Sequence, residues 1–113
     1  MKLSEIVESL KLDTVVRGKG FGQEITGGYV SDLLSDVMAN SKKGNLWITL
    51  QIHQNIVAIA TLKELAGIVI IGGKEPTEDT IKKAKDEYVT ILKSKLSAYE
   101  LSGKLYNLGI HNS

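Results

Sequence analysis

The chain has 113 residues, 42% of them hydrophobic and 24% charged, with a formal net charge of +1 and no cysteine. An apolar fraction near the globular norm with so little net charge excludes a disordered segment, and the lack of cysteine excludes a disulfide scaffold, a thiolate metal site and a cysteine nucleophile. Near-neutral charge excludes the basic face a nucleic-acid partner needs, no apolar run reaches the ~18 residues of a membrane helix, and MKLSEIVESL is no signal peptide. The expectation is one soluble, cytoplasmic domain over residues 1–113, with neither nucleic acid nor membrane as partner.

In chain order, Ile6, Val7 and Leu10 line one face of a helix over Ser4 to Leu10, with Ser4 as its N-cap. A short strand follows at Thr14 to Arg17, then a glycine-rich turn from Gly18 to Gly22. Glu24 to Ser31 reads as a strand, and its Gly27-Gly28 pair marks a bulge or a close backbone approach. Leu33 to Asn40 is a short helix ended by the Lys42-Lys43-Gly44-Asn45 turn, and Leu46 to Leu50 is a strand. A helix over Asn55 to Ala66, N-capped by Asn55 and stopped by Gly67, is apolar around most of its circumference, which predicts burial on more than one side.

Ile68 to Ile71 is a continuous β-branched run, the pattern of a strand covered on both faces. Glu78 to Tyr88 is a helix opened by Pro76-Thr77, with Ile81, Ala84 and Tyr88 as its core face and lysines four residues beyond Glu78 and Asp79. Val89 to Leu92 is a strand, and Ser97-x-x-Glu100 is a capping box for a last helix that carries Leu101, Leu105 and Leu108 and stops at Gly109. Alternation of strand and helix from Leu46 onward predicts an α/β fold with a mostly parallel sheet.

In such sheets ligands bind beyond the carboxyl ends of the strands. Four stretches qualify: Ser31-Asp32, Gln51 to Asn55, Gly72 to Glu75, and Ser94 to Ser97. At the most polar of them, Gln51, His53, Gln54 and Asn55 crowd a helix start whose free amides suit an anion, and Gly72-Gly73 lets backbone approach closely. Asn55 and Ser97 read more readily as plain caps, and Gly72-Gly73 as a plain turn. Catalytic templates are missing: there is no GxxxxGK[ST] loop, GxGxxG, GxSxG elbow or HExxH. With His53 and His111 the only histidines, neither a metal site nor a cofactor is expected, and no catalytic residue is assigned.

The segment Glu24-Ile25-Thr26-Gly27-Gly28-Tyr29-Val30-Ser31-Asp32 resembles the DRTGG domain, a family named for its five-residue motif. Thr26-Gly27-Gly28 match, while Glu24 and Ile25 stand where the family has aspartate and arginine. The resemblance runs on through Leu46-Trp47-Ile48-Thr49 and the Ile68 to Gly73 stretch to the final helix. It implies a single three-layer α/β domain with a mostly parallel or mixed sheet, similar to the N-terminal domains of HPr kinase/phosphorylase and of a Mur ligase. It also implies a regulatory role, since DRTGG domains accompany catalytic or sensory domains, including pyrophosphatases with nucleotide-binding CBS domains. HPr kinase activity is not implied, because the kinase phosphate loop is absent from these residues.

The combined expectation is a non-catalytic regulatory or ligand-sensing module, homodimeric, that takes a nucleotide or phosphorylated metabolite and acts beside a partner enzyme. Its candidate contacts are Thr26, Gly27, Gly28, Asp32, His53, Gln54, Asn55, Gly72 and Gly73. The alternative is a protein-interaction module with no small ligand, and a small hydrolase or transferase relying on His53 is the weakest reading.

Overall fold

In the computed structural model, which describes residues 1–112, a five-stranded sheet lies between two layers of helix. The strands are β1 (Asp13–Val16), β2 (Gly27–Val30), β3 (Asn45–Thr49), β4 (Gly67–Ile70) and β5 (Ile91–Lys93). The helices are α1 (Leu3–Leu10), α2 (Leu34–Asn40), α3 (Asn55–Leu62), α4 (Glu78–Glu87) and α5 (Ala98–Asn107), and a single 3₁₀ turn spans Lys19–Gly22. Spatial order is β1-β5-β4-β3-β2, with β2 to β5 parallel and β1 antiparallel on β5. The α/β alternation expected from the sequence is therefore present, and the sheet is mixed only at one edge.

Because successive parallel strands step across the sheet in one direction, crossovers of one hand put α2, α3 and α4 on the same face. Val37, Trp47, Ile56, Val57, Ile68, Ile70, Ala84 and Ile91 form the core there. The opposite face is covered by the chain's two ends, α1 and α5, over Leu3, Ile6, Leu46, Ile48, Val69, Leu92, Leu101 and Leu105. Alternate residues of β3 and β4 feed the two cores, so both strands are buried throughout, as the β-branched run Ile68 to Ile71 implied. Each such aliphatic side chain contributes about 1.5–3 kcal/mol on burial. Trp47, wholly buried, donates its indole N–H to the Ser31 carbonyl at 2.9 Å and so ties β3 to the end of β2.

Several local expectations change once tertiary contacts are in place. The first helix begins at Leu3, and Glu5 reaches back to the Lys2 amide at 2.8 Å, so Ser4 is inside the helix and does not cap it. Gly27-Gly28 makes no bulge, because β2 pairs with β3 in unbroken register; the sheet's irregularity lies in β1, between Thr14 and Val16. Helix α3 ends four residues early. Glu64 takes a left-handed conformation (φ 53°) that turns the chain into β4, which absorbs Gly67 as its first residue. The helix buries Ile56, Val57, Ile59 and Ala60 but leaves Ala58 and Leu62 exposed, so one face is covered, not the whole circumference.

Thr77 caps α4 by accepting the Thr80 amide, and Thr80, Ile81 and Ala84 face inward. Tyr88 instead ends that helix in a left-handed conformation (φ 57°) with its ring exposed, and the ion pair on this helix joins Lys83 to Glu87 in place of the two pairs expected from its first turn. Ser97 accepts the Glu100 amide at the start of α5, which is the serine half of the expected capping box; the reciprocal bond from the Ser97 amide to the Glu100 side chain is not formed.

The 3₁₀ turn packs against the β4 entry without clearance. A Cβ on Gly20 would overlap the Ala66 carbonyl oxygen and lie 2.9 Å from its carbon, whereas one on Gly22 would meet nothing within 4 Å. Gly20→Ala is expected to lower unfolding free energy by about 2 kcal/mol, the scale of an overpacked contact, and Gly22→Ala to stay within about 0.5 kcal/mol of wild type. Urea denaturation of both variants checks this, equal midpoints being the contrary result.

Candidate functional site

Strand polarity separates the candidate residues into two groups. Asp32, His53, Gln54, Asn55, Gly72 and Gly73 follow the carboxyl ends of the parallel strands, and Thr26, Gly27 and Gly28 stand at the amino end of β2, across the sheet. Thr26 and Asp32 are six residues apart along an extended chain, on the order of 20 Å at 3.3 Å per residue. The structure thus divides the nine between opposite ends of the sheet.

At the carboxyl edge, the polar groups are largely engaged within the protein. Asp32 Oδ1 accepts hydrogen bonds from Thr49 Oγ1 (2.8 Å) and the Leu50 amide (2.7 Å), while Gln51 Nε2 donates to the Asp32 carbonyl (2.9 Å). Asp32 therefore laces β2 to β3. The Gly72 and Gly73 amides donate to Leu96 and Ser94 carbonyls, and in the first turn of α3 the Ile56 and Val57 amides donate to His53 and Gln54 carbonyls. Donors that would cradle an anion are consumed by the turns that shape this edge. His53, Gln54 and Asn55 are exposed, Asn55 is the first residue of α3, and Gln54 precedes it without a side-chain cap.

The amino edge of β2 and β3 is concave. Thr26, Tyr29, Asn40, Lys42, Lys43, Asn45 and Asn112 line a cleft of about 260 Å³. Its floor is a polar clamp: Thr26 Oγ1 donates to the Lys43 carbonyl (2.8 Å) and accepts from Asn45 Nδ2 (3.2 Å), and Asn45 Oδ1 accepts the Lys42 amide (2.9 Å). The threonine thus fixes the Lys42-Lys43-Gly44 turn, in which Gly44 has φ +82°. Both lysines follow the carboxyl end of α2, where the helix dipole favours cations. Lys43 pairs with Glu64 at 3.5 Å, but both side chains are exposed, so this bond holds it weakly. Two exposed ammonium groups over a polar floor suit a phosphate or carboxylate.

The sequence reading missed Asn40, Lys42, Lys43, Asn45 and Asn112 as site residues. A trace was present, since the Lys42-Lys43-Gly44 turn leads directly into the strand that pairs with Gly27-Gly28. Asn112 offered no such signal: its Oδ1 accepts the Gly28 amide at 2.9 Å, a contact spanning 84 residues. Ile25, where the DRTGG family carries arginine, is buried in the core against α1 and α5, and Glu24 pairs with the Met1 amino group at 2.7 Å. An arginine at position 25 of this chain would have to leave that core.

A further cleft of about 190 Å³ lies at the amino ends of β4 and β5, where Lys19 and Lys43 are balanced by Glu64 and Glu87 and the closing ends of α3 and α4 add carbonyl character that disfavours an anion. Among the described residues, no group of three or more His, Cys, Asp and Glu is placed to hold a metal, and no helix is long and apolar enough to cross a membrane.

No protein-family model matches the chain, and no curated protein does. Solved structures do. The crystal structure of the CBS and DRTGG domains of the regulatory region of a Clostridium perfringens pyrophosphatase, complexed with its activator diadenosine tetraphosphate, superposes with a TM-score of 0.68 at 16% identity. The match covers 90% of this chain and 44% of that one. The likeness establishes a shared fold. This chain spans less than half the length of that structure.

Beside the cleft, the Tyr29 hydroxyl donates to both Asp36 oxygens (2.8 and 2.9 Å), and Asn40 Nδ2 donates to Oδ1 at 2.8 Å. The Asn40 bond, with that from Tyr29, holds the Asp36 carboxyl below the usual carboxylate range; the Asp36 bond in turn pushes the Tyr29 phenol up. A carboxyl depressed in the folded state adds stability above its unfolded value, and that stability is lost as pH falls through the folded one. Wild type should therefore melt above Asp36→Asn at pH 6, with the gap closing as pH falls below about 4. Thermal melts of the two proteins across that range decide it, and a gap independent of pH would contradict the assignment.

Proposed function

We propose that this chain is a regulatory module of the DRTGG class, without catalysis of its own, that responds to an anionic effector of nucleotide type and passes the signal to a partner enzyme. The observation that carries this reading is the two-lysine cleft on the Thr26-Gly27-Gly28 segment. The reading is supported by the fold's occurrence in a pyrophosphatase regulatory region whose structure holds a nucleotide activator. Lys42 and Lys43 supply the charge, the Thr26–Asn45 clamp presents the turn that carries them, and Asn40 and Asn112 offer amides for orientation. A nucleotide effector also implies a cytoplasmic setting. No step of bond making is assigned, because the hydroxyl and carboxylate groups at the cleft are engaged in holding its shape.

A thermal-shift series with ATP, diadenosine tetraphosphate and inorganic phosphate tests this. A ligand at 100 times its dissociation constant stabilises by about 2.7 kcal/mol, or about 10 °C for a domain of this size. The Lys42→Glu/Lys43→Glu double variant should bind at least about tenfold more weakly, since each charge-assisted contact is worth roughly 1.5–3 kcal/mol. Asn55→Asp, at the opposite edge, should leave affinity unchanged. The reverse pattern would move the site to the carboxyl ends of the strands, around Asp32, His53, Gln54, Asn55, Gly72 and Gly73; a flat panel would remove the ligand-sensing reading.

A second reading, an interaction module, is favoured by one feature. Val30, Leu33 and Leu50 gather at the carboxyl end of β2 and β3 with relative exposures of 50%, 64% and 40%. Apolar side chains grouped beside an edge strand suit contact with a second copy of the chain. On this reading light scattering gives the mass of two chains, and Val30→Lys/Leu33→Lys gives the mass of one. A wild-type monomer at high micromolar concentration would overturn it.

A further inference from the structure

On the other side of Gly27-Gly28 from the lysine cleft lies a groove of about 290 Å³ between the free edge of β2 and α5. Its floor is apolar, made by Val30, Ile48, Leu105 and Ile110. One wall is aromatic: the Tyr106 and His111 rings stack with centroids 4.0 Å apart and planes 30° from parallel, and His111 Nε2 lies 3.1 Å from the Tyr106 carbonyl. Tyr106 is 63% exposed, which leaves ring surface open to a further partner.

The two hollows share one residue. Asn112 lines both, and its Oδ1 takes the hydrogen of the Gly28 amide, which points away from β3. That donor is thus satisfied by a polar side-chain oxygen that a ligand oxygen or ring nitrogen is able to replace. The two glycines differ in what they leave room for: a Cβ on Gly27 would overlap the Asn112 side-chain oxygen, so Gly27 makes space for that asparagine. A Cβ built on Gly28 would meet nothing closer than the Leu46 carbonyl, at 3.9 Å, so the strand's own packing does not demand glycine there. What glycine leaves is open space on the groove side.

We infer that this groove is a base subsite: a nucleoside polyphosphate lies across the β2 edge over Gly27-Gly28, its base against Tyr106 and the apolar floor and its phosphates on Lys42 and Lys43. The inference rests on the nucleotide reading above and adds to it where the base sits and why position 28 is a glycine. A planar heteroaromatic ring fits such a mixed lining, with its faces on Val30 and Tyr106 and its polar edge toward the Gly28 amide and the Ser102 hydroxyl. The lysine cleft beyond Asn112 is complementary to the charge the same ligand carries.

Titration calorimetry with two probes, ATP and inorganic tripolyphosphate, separates this inference from the reading it rests on. In wild type ATP should bind more tightly than tripolyphosphate, by about the tenfold that stacking of one base supplies. Gly28→Val fills the groove from within a strand that favours β-branched residues, and it should reduce ATP to the affinity of tripolyphosphate while leaving tripolyphosphate unchanged. Gly28→Ala, a smaller intrusion, should lose part of the ATP preference and serves in place of the valine variant if that one does not fold by circular dichroism. Equal ATP affinity in wild type and Gly28 variants, or no preference for ATP over tripolyphosphate in wild type, would overturn the base subsite while the anion cleft stands. Failure of both probes to bind wild type would overturn the cleft and the subsite together.

Discussion

Burial of β3 and β4 on both faces is the constraint from which the rest of the architecture follows. A strand with no wet face must be covered twice, and these two strands carry apolar side chains alternately toward each cover. One cover is built from the three crossover helices and the other from the two ends of the chain. Since the centre admits no polar group that lacks a partner, chemistry is displaced to the ends and edges of the sheet, and among the described residues every buried side-chain nitrogen or oxygen is hydrogen-bonded.

The two ends of the sheet then diverge. Helices begin at the carboxyl end, and their first turns compete for the same polar residues that a ligand would use. Asp32, Thr49 and Gln51 spend their hydrogen bonds on joining β2 to β3, and Gly72-Gly73 on joining the exit of β4 to the approach to α5. At the amino end beside β2, a side-chain clamp of Thr26 and Asn45 serves the turn instead, so shaping that turn does not consume the ammonium groups of its lysines, and among the described residues only the exposed Glu64 engages Lys43.

Edge position matters as much as polarity. β1, at one border, is short and kinked by its register shift against β5, which discourages further pairing. β2, at the other, carries two glycines and lies between a cationic cleft and an aromatic groove, with Asn112 bound to its outward amide. The Thr-Gly-Gly segment that marks the family resemblance is therefore both a fastening for the lysine turn and a low point in the wall between two hollows. Its threonine and its glycines have separate physical tasks. Ile25, just before it, belongs to the core against α1 and α5.

The sequence by itself determined the α/β class, the run of elements, the double burial of Ile68 to Ile71 and the caps at Thr77 and Ser97, because these depend on spacing and composition within a few residues. Tertiary structure decided where α3 stops, since Glu64 gives up helical geometry to let β4 pair with β3, a gain no local pattern encodes. It also decided that Tyr88 faces outward and that Gly27-Gly28 keeps register without a bulge. The site was legible in part. Thr26-Gly27-Gly28 stood out in the chain, but Lys42, Lys43 and Asn112 join them only through strand pairing and the return of the tail, contacts that span 17 to 84 residues. Strand direction, a property of the assembled sheet, is what divided residues that look alike in sequence between two opposite ends.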